Sequence, residues 1–273
     1  MDLSSIFANH RKRNIFFAVF SFLYAFVIYS LTVAPTTSFW DPAEYIAIAH
    51  TLQIAHPPGS PFFAIVGRLV SMFMPTEYVA LSINMISVTA SAFTIMLLYL
   101  IIVRLIEEWR GPADKMDFMD QVGLYGGGLF GALVFTVSHT QWFNAVEAEM
   151  YAISMCLTAL VVWLSLQWSA NHDQPYAERW LIVIAYLFGI GIGVHLLNLL
   201  ALFFVAMIIY YKKVEFSISS FLIMTGISIL GFFTVYPVTV IWLPDIAGQI
   251  GSYTYGLIAV SYTHLTLPTI YSV

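Results

Sequence analysis

The feature that most constrains this chain is a series of apolar stretches about as long as a membrane is thick. A helix needs roughly 20 apolar residues to cross the hydrocarbon core of a bilayer. Such stretches recur from near the N-terminus to residue 242, and only 9% of the 273 residues are charged. Soluble proteins carry about a quarter charged residues, so lipid must surround much of this chain. The sequence therefore predicts an all-α, polytopic membrane protein.

Counting the apolar runs predicts a bundle of about six or seven transmembrane helices. The stretch 181–211 is too long for one upright span, and its glycines at positions 189–193 favour a break into two short helices. The run 61–74 is too short to cross, which predicts an interfacial or re-entrant helix. The other predicted spans are residues 14–34, 78–103, 122–138, 151–168 and 216–242.

Basic residues predict how these spans are oriented. Cytoplasmic loops are enriched in Lys and Arg, and residues 11–13 read Arg-Lys-Arg. The N-terminus is therefore expected in the cytoplasm. If residues 181–211 form two helices, nine of the ten basic residues then lie on that side. The exception is Arg68, in the first outer loop. The outer face collects residues 35–77 and 139–151.

One domain is expected over residues 1–260, because no long linker or internal repeat divides them. The last residues, 261–273, resemble a translated sequencing-adaptor tail and are predicted to be non-native, with the natural chain continuing beyond about residue 260. The net charge of -5 is modest and gives no reason to expect a nucleic-acid partner; membrane lipids are the expected surroundings.

Asp41 and Glu44 are the first candidate site, in the loop after the first span. Their spacing of three residues puts both carboxylates on one face of a helix. Charges at the edge of a lipid-embedded bundle are costly and are often functional. Asp41 followed by Pro42 also fits a helix start, with Asp as the N-cap. Both interpretations, catalytic site and helix cap, remain open.

Two neighbours in the same loop are expected near these carboxylates. His56 begins a His-Pro-Pro-Gly turn that the prolines make rigid. Arg68 can bind a phosphate through two parallel hydrogen bonds, or its side chain can extend to lipid headgroups.

Further candidates lie in the second outer segment and in the broken stretch. Glu147 and Glu149 are two residues apart, so on a helix one is expected to face a pocket and the other water. His195 lies three residues before Asn198, a spacing that suits either catalysis or a structural hydrogen bond. No P-loop, Rossmann fingerprint, metal-protease motif or Cys/His zinc cluster occurs, so no cofactor is predicted. A divalent metal could bind the outer carboxylates, but two acids three residues apart are weak evidence for it.

Three runs carry a resemblance to a known family: Phe39-Trp40-Asp41-Pro-Ala-Glu44-Tyr, Ala-His56-Pro-Pro-Gly and Gly67-Arg68-Leu. They resemble a bacterial multi-pass family related to a eukaryotic transmembrane protein O-mannosyltransferase, within the GT-C glycosyltransferases. Residues 142–151 and 193–198 are similar to it as well.

The resemblance implies a GT-C-like bundle in the bacterial inner membrane, with its active face in the periplasm. The donor would be a polyprenyl-phosphate sugar, and the acceptor a hydroxyl of a protein, lipid or glycan. Catalytic roles fall to Asp41 and Glu44 by their place in the first outer loop. Inverting transfer needs a base for the acceptor hydroxyl, which Asp41 can supply. The expected substrate-binding residues are Trp40, His56, Arg68, Asn144, Glu147, Glu149, Tyr151 and His195.

Two other classes of function compete with this prediction. A transporter or flippase would use polar residues in a broken helix, such as His195 and Asn198. A non-catalytic scaffold would leave the outer charges without a shared task. If the chain is a glycosyltransferase, we expect Asp41, Glu44 and Arg68 to converge on one outward-facing cavity.

Overall fold

The structure, a computed structural model, describes residues 9–56, 60–243 and 245–255. The proline–glycine part of the predicted turn, residues 57–59, and the predicted tail, residues 261–273, lie outside the described residues. The chain forms two compact units, residues 1–216 and residues 217–273.

In the part of the chain that the structure describes, six helices are long and apolar enough to cross a membrane. The prediction of an all-α, polytopic bundle is confirmed, and the chain is an integral membrane protein. These helices are His10–Thr32, Thr76–Arg110, Phe118–Thr136, Met150–Asn171, Leu196–Lys213 and Ile218–Tyr236.

The first unit contains nine α-helices among its described residues, three of them preceded by or joined through short 3-10 turns. They are α1 His10–Thr32, α2 Pro42–Thr51, α3 Pro61–Ser71, α4 Val79–Arg110, α5 Phe118–Thr136, α6 His139–Ala145, α7 Met150–Asn171, α8 Glu178–Ile192 and α9 Ala201–Lys213. The second unit contains α10 Ile218–Tyr236, a π-helical turn Pro237–Trp242 and further helix over residues 245–255.

Helix α4 is the centre of the first unit, since α1, α5 and α7 all pack against it. Its buried face carries Val88, Ala92, Ile95 and Tyr99, which meet the buried side chains of the neighbouring helices. A polar group is also buried near the end of α5, where the Tyr29 hydroxyl of α1 donates to the Thr136 carbonyl at 2.9 Å. This bond satisfies a carbonyl at the C-terminal end of α5, where no helical partner is available.

Polar contacts tie together the helix termini at one end of the unit, which we call the basic end. It contains the start of α1 and α5 and the end of α4 and α9. His10 contacts Tyr125 at 2.7 Å and Glu107 at 3.2 Å. Lys212 lies 3.8 Å from Glu108, so α9 returns to the same end as α4. The opposite end, which we call the acidic end, contains α2, α3 and the start of α7.

The predicted break in residues 181–211 is confirmed, but it falls later than the first glycines. Gly189 and Gly191 lie within α8, and the chain leaves the helix at residues 193–195. The carbonyls freed there are satisfied by the start of α3: Phe62 N–H donates to the Gly193 carbonyl, and the Ser60 hydroxyl to the Val194 carbonyl, both at 2.9 Å. Partners outside the helix therefore decide where it ends.

The short apolar run is a helix of 11 residues, α3, as its length predicted. It packs closely on α2, because a Cβ at Gly67 would lie only 2.5 Å from the Ala49 Cβ. The close approach fixes α2 against α3 and so positions the N-terminus of α2.

The approach of α5 to α4 gives a testable prediction. A Cβ at Gly128 would lie 2.9 Å from Val103 and 3.0 Å from Tyr99, whereas one at Gly126 meets no described atom within 4 Å. We expect Gly128→Leu to destabilise the fold by about 1–3 kcal/mol through overpacking. Thermal unfolding in detergent should show a lower Tm for this variant than for its control, Gly126→Leu; equal melting temperatures would contradict the packing.

Candidate active site

Asp41 and Glu44 lie at the start of α2, at the acidic end. Pro42 is the first residue of the helix and Asp41 occupies the N-cap position, as the sequence predicted. Among the described residues, however, the Asp41 side chain forms no capping hydrogen bond. Its carboxylate is exposed. The helix start therefore positions Asp41 without using its carboxylate.

His56 binds Glu44 through two groups. The His56 backbone N–H donates to Glu44 Oε1 at 2.7 Å, and the imidazole Nδ1 lies 2.9 Å from Oε2. These hydrogen bonds lower the pKa of Glu44 and raise the pKa of His56. Both groups thus favour the charged form. The sequence expectation that His56 lies against the acidic pair agrees with this contact.

Asp41, Glu44 and His56 form one cluster, because a ligand atom of each lies within 4.8 Å of those of the other two. Two carboxylates and an imidazole are donors that a divalent cation accepts. Glu44 already uses both its oxygens on His56. A cation bound here would therefore have to compete with His56 for Glu44.

The loop that leads to Asp41 is held by partly buried hydrogen bonds. The Asn84 amide of α4 donates to the carbonyls of Ala34 and Thr36, at 2.7 and 3.0 Å. The Ala34 N–H donates to the Val146 carbonyl at 2.8 Å, and the Ser38 hydroxyl donates to the Glu147 carboxylate. The loop after α1 is thereby joined to the segment before α7.

Glu147 and Glu149 are both buried, with exposed fractions of 5% and 7%. The expectation that one of them faces water is wrong. It assumed a helix, whereas the chain is non-helical between Ala145, where α6 ends, and Met150, where α7 begins. Glu147 Oε1 and Glu149 Oε2 have no hydrogen-bond partner among the described residues.

Glu149 is electrostatically linked to the cluster. Burial, then the charges of Glu147 and Asp41, raise the pKa of Glu149 to about 7, and His56 opposes the shift. Its backbone is fixed by Ser87, whose hydroxyl lies 3.3 Å from the Glu149 nitrogen and 3.4 Å from its oxygen. A carboxyl that changes charge near neutral pH thus lies beside the exposed carboxylates.

The far wall of this region comes from the start of α7 and the break before α9. The Tyr151 and His195 rings lie 4.9 Å apart. The Ser60 hydroxyl oxygen lies 3.2 Å from the Met150 sulfur, and the Tyr45 hydroxyl donates to the same sulfur at 3.7 Å. Tyr151 and His195 thus reach the acidic end, as the sequence suggested.

Asn198 has a structural role instead. Its amide oxygen accepts from Thr158 at 2.6 Å, and its amide nitrogen donates to Ser154 at 3.1 Å and to the His195 carbonyl at 3.3 Å. Asn198 thus bonds the backbone carbonyl of His195, whereas the His195 imidazole accepts a hydrogen bond from the Leu197 N–H at 3.2 Å.

Two predicted site residues, Arg68 and Asn144, bond to groups outside the cluster, and a third, Trp40, is exposed next to Asp41. Arg68 donates to the His50 carbonyl near the other end of α2, and six residues of helix correspond to about 9 Å from Glu44. The Asn144 amide donates to Thr140 within α6. Trp40 is 88% exposed and has a positive φ of 70°, a conformation that costs about 1–2 kcal/mol for a bulky side chain.

Asn84 and Ser87 were not predicted from the sequence. The sequence offered only a weak signal: both residues are polar, lie three residues apart and face the same side of a mostly apolar helix. Both position the site rather than line it.

The region that contains the candidate site is similar to proteins of a known family. Residues 41–218 match the family model described as the protein O-mannosyl-transferase TMEM260 N-terminal domain. Protein O-mannosyl-transferase tmem260 of Dictyostelium discoideum is 26% identical over 199 residues, 69% of this chain and 22% of the relative. Protein O-mannosyl-transferase TMEM260 of Mus musculus is 26% identical over 171 residues, 63% of this chain and 22% of the relative. This chain thus spans about a fifth of the length of either relative. No solved structure matches the chain.

The raised pKa of Glu149 predicts how stability depends on pH. Above pH 4.5 the carboxyl ionises in the unfolded chain but stays protonated in the fold until about pH 7. The free energy of unfolding should therefore fall across this range, by about 3 kcal/mol in total. The Glu149→Gln variant should not show this loss of stability with rising pH, whereas the Glu44→Gln variant should still show it. Thermal unfolding in detergent between pH 4.5 and 8 would measure it; identical pH profiles for wild type and Glu149→Gln would contradict the burial of this carboxyl.

Proposed function

Because this chain belongs to the family of the protein O-mannosyl-transferase TMEM260 N-terminal domain, we propose that it is the membrane part of a glycosyltransferase. The enzyme transfers a sugar, mannose, to a hydroxyl group of a protein. The names of both relatives support this sugar and acceptor. A polyprenyl-phosphate donor is proposed from the resemblance of residues 39–68 to GT-C enzymes.

The proposal rests on the hydrogen bonds of the cluster formed by Asp41, Glu44 and His56. Glu44 is bound by His56 through both oxygens, whereas no group among the described residues donates to the carboxylate of Asp41. Asp41 is exposed and available to a substrate. Of the two carboxylates in the cluster, Asp41 is therefore the one that can take a proton from a substrate.

In the proposed reaction, the acceptor oxygen attacks the anomeric carbon of the sugar as Asp41 takes the proton from that oxygen. The bond between the anomeric carbon and the phosphate oxygen breaks, and its electron pair leaves with the polyprenyl phosphate. Attack opposite the leaving group inverts the configuration. Glu44 holds His56 in place and contacts the acceptor.

The leaving phosphate is a weak base and needs charge stabilisation rather than a proton. Two cations serve this purpose in the proposal. His56 is held beside Glu44, and its raised pKa favours the protonated form. Arg68 reaches the phosphate from the other end of α2, with the N–H groups that the His50 carbonyl does not use.

The sugar is proposed to lie against the wall formed by Glu149, Tyr151 and His195. Glu147 Oε1 and Glu149 Oε2 lack partners among the described residues and can accept hydrogen bonds from sugar hydroxyls. The exposed ring of Trp40, next to Asp41, can stack on a sugar or an isoprenoid chain.

The acidic end is proposed to face away from the cytoplasm, into the periplasm of a bacterium. The charge distribution supports it: Arg11, Lys12, Arg13 and Arg104 lie at the opposite end, and such residues favour the cytoplasmic side. No metal or cofactor enters the proposed reaction.

The structure gives a transport function less support. A transporter needs polar groups that are free to meet a substrate in the membrane. Asn198, in the broken helix, is 3% exposed and hydrogen-bonded to Thr158, Ser154 and the His195 carbonyl.

Asp41→Asn tests the proposed base. The amide keeps the shape of the side chain but cannot accept the proton, so transfer should fall at least about a hundredfold. Radiolabelled mannose transfer from polyprenyl phosphate would measure it, in membranes that contain the protein. Asp114→Asn, an exposed aspartate in the Ala113–Lys115 turn at the basic end, is the matched control. Near-normal transfer by Asp41→Asn would rule out this residue as the base.

A further inference from the structure

A second polar site lies at the basic end, far from the carboxylates of the acidic end. A cavity of about 440 Å³ opens between α1, α4 and α7. Helix α1 begins at His10, and α4 and α7 end at Arg110 and Asn171, so all three helices reach this end. Nothing in the proposed reaction uses this cavity.

The lining changes from polar to apolar with depth. Near the helix ends it contains His10, Arg11, Arg104, Glu107 and Gln167. Farther along the helices it contains Val19, Met96 and Trp163. His10 and Val19 are nine residues apart, about 13 Å along α1. The cavity therefore suits a ligand with a polar head and an apolar tail.

The charged mouth of the cavity is positive. It contains two arginines, Arg11 and Arg104, and one carboxylate, Glu107. Arg104 lies 3.6 Å from Glu107 and 2.7 Å from Glu108, and Glu107 also lies 3.2 Å from His10. Glu107 is thus shared between two basic groups.

One of the two guanidinium groups at this mouth is free of partners within the described ranges. Arg11 is exposed, and no ion pair or side-chain hydrogen bond is formed by it with any described residue. Arg104 is paired with Glu107 and Glu108 through its Nη atoms, and its Nε is buried. A phosphate at the mouth would therefore be held by the planar fork of Arg11 and attracted by the charge of Arg104.

We propose that this cavity binds an anionic phospholipid of the leaflet at the basic end. Its phosphate lies between Arg11 and Arg104, and one acyl chain lies along Val19, Met96 and Trp163. Basic pockets between transmembrane helices bind anionic headgroups in this way. The charge of the mouth selects the headgroup, and the apolar depth selects a lipid over a free phosphate.

Native mass spectrometry of the purified chain in detergent tests this directly. Phosphatidylglycerol should bind at least about tenfold more tightly than phosphatidylcholine with the same acyl chains, which is about 1.4 kcal/mol. Inorganic phosphate at the same concentration should not displace it. Equal affinity for the two lipids would overturn the role of the arginines, and displacement by phosphate would overturn the lipid as ligand.

Variants locate the site. Arg11→Gln and Arg104→Gln should each weaken phosphatidylglycerol binding about fivefold. Lys12→Gln is the matched control, because Lys12 is exposed beside Arg11 but does not line the cavity. Val19→Trp should weaken binding without changing any charge, because Val19 is half exposed and a larger ring would fill the apolar part. An effect of Lys12→Gln as large as that of Arg11→Gln, or no effect of Val19→Trp, would overturn the proposal.

Discussion

The side-chain amide of Asn84 donates hydrogen bonds to the carbonyls of Ala34 and Thr36, at 2.7 and 3.0 Å, from a position only 1% exposed. In a membrane, backbone carbonyls without partners cost several kcal/mol each, so the chain leaving the first span must find donors where water is scarce. Asn84 supplies them from the central helix. The loop is also bound to the segment before α7, through Ala34 and Val146. These bonds hold the loop after α1 against the segment before α7, and the placement of Asp41 relative to Glu149 depends on them.

Four acidic groups lie close together at this end, Asp41, Glu44, Glu147 and Glu149, and three of them reduce their charge repulsion in different ways. Glu44 is paired with His56, and the pair lowers the pKa of Glu44. Glu149 is buried, and its raised pKa of about 7 lets it stay neutral in mildly acidic conditions. Asp41 is exposed to solvent. Opposite charges, burial and solvation are the three means by which proteins tolerate such clusters, and of the four carboxylates Asp41 is the one that solvent stabilises.

The sequence predicted the features that depend on local composition. Apolar length identified the spans, and the glycine-rich run before His195 identified the break in residues 181–211. The Asp41–Pro42 pair identified the start of α2. The features that it missed depend on tertiary contacts. Glu147 and Glu149 are buried because α6 ends at Ala145 and the chain crosses to α7 without a helix, and Arg68 meets His50 because Gly67 lets α3 pack closely on α2.

At the acidic end, α2 and the residues that follow it bring His56 onto Glu44, beside Asp41. This contact can be measured through the titration of the His56 imidazole, followed by NMR of the protein labelled at histidine. We expect a His56 pKa above that of a free histidine, a clear fall in Glu44→Gln, and a smaller fall in Asp41→Asn, because Glu44 is the main cause of the shift and Asp41 a lesser one. A His56 pKa at the free value that neither substitution changes would show that His56 does not contact Glu44.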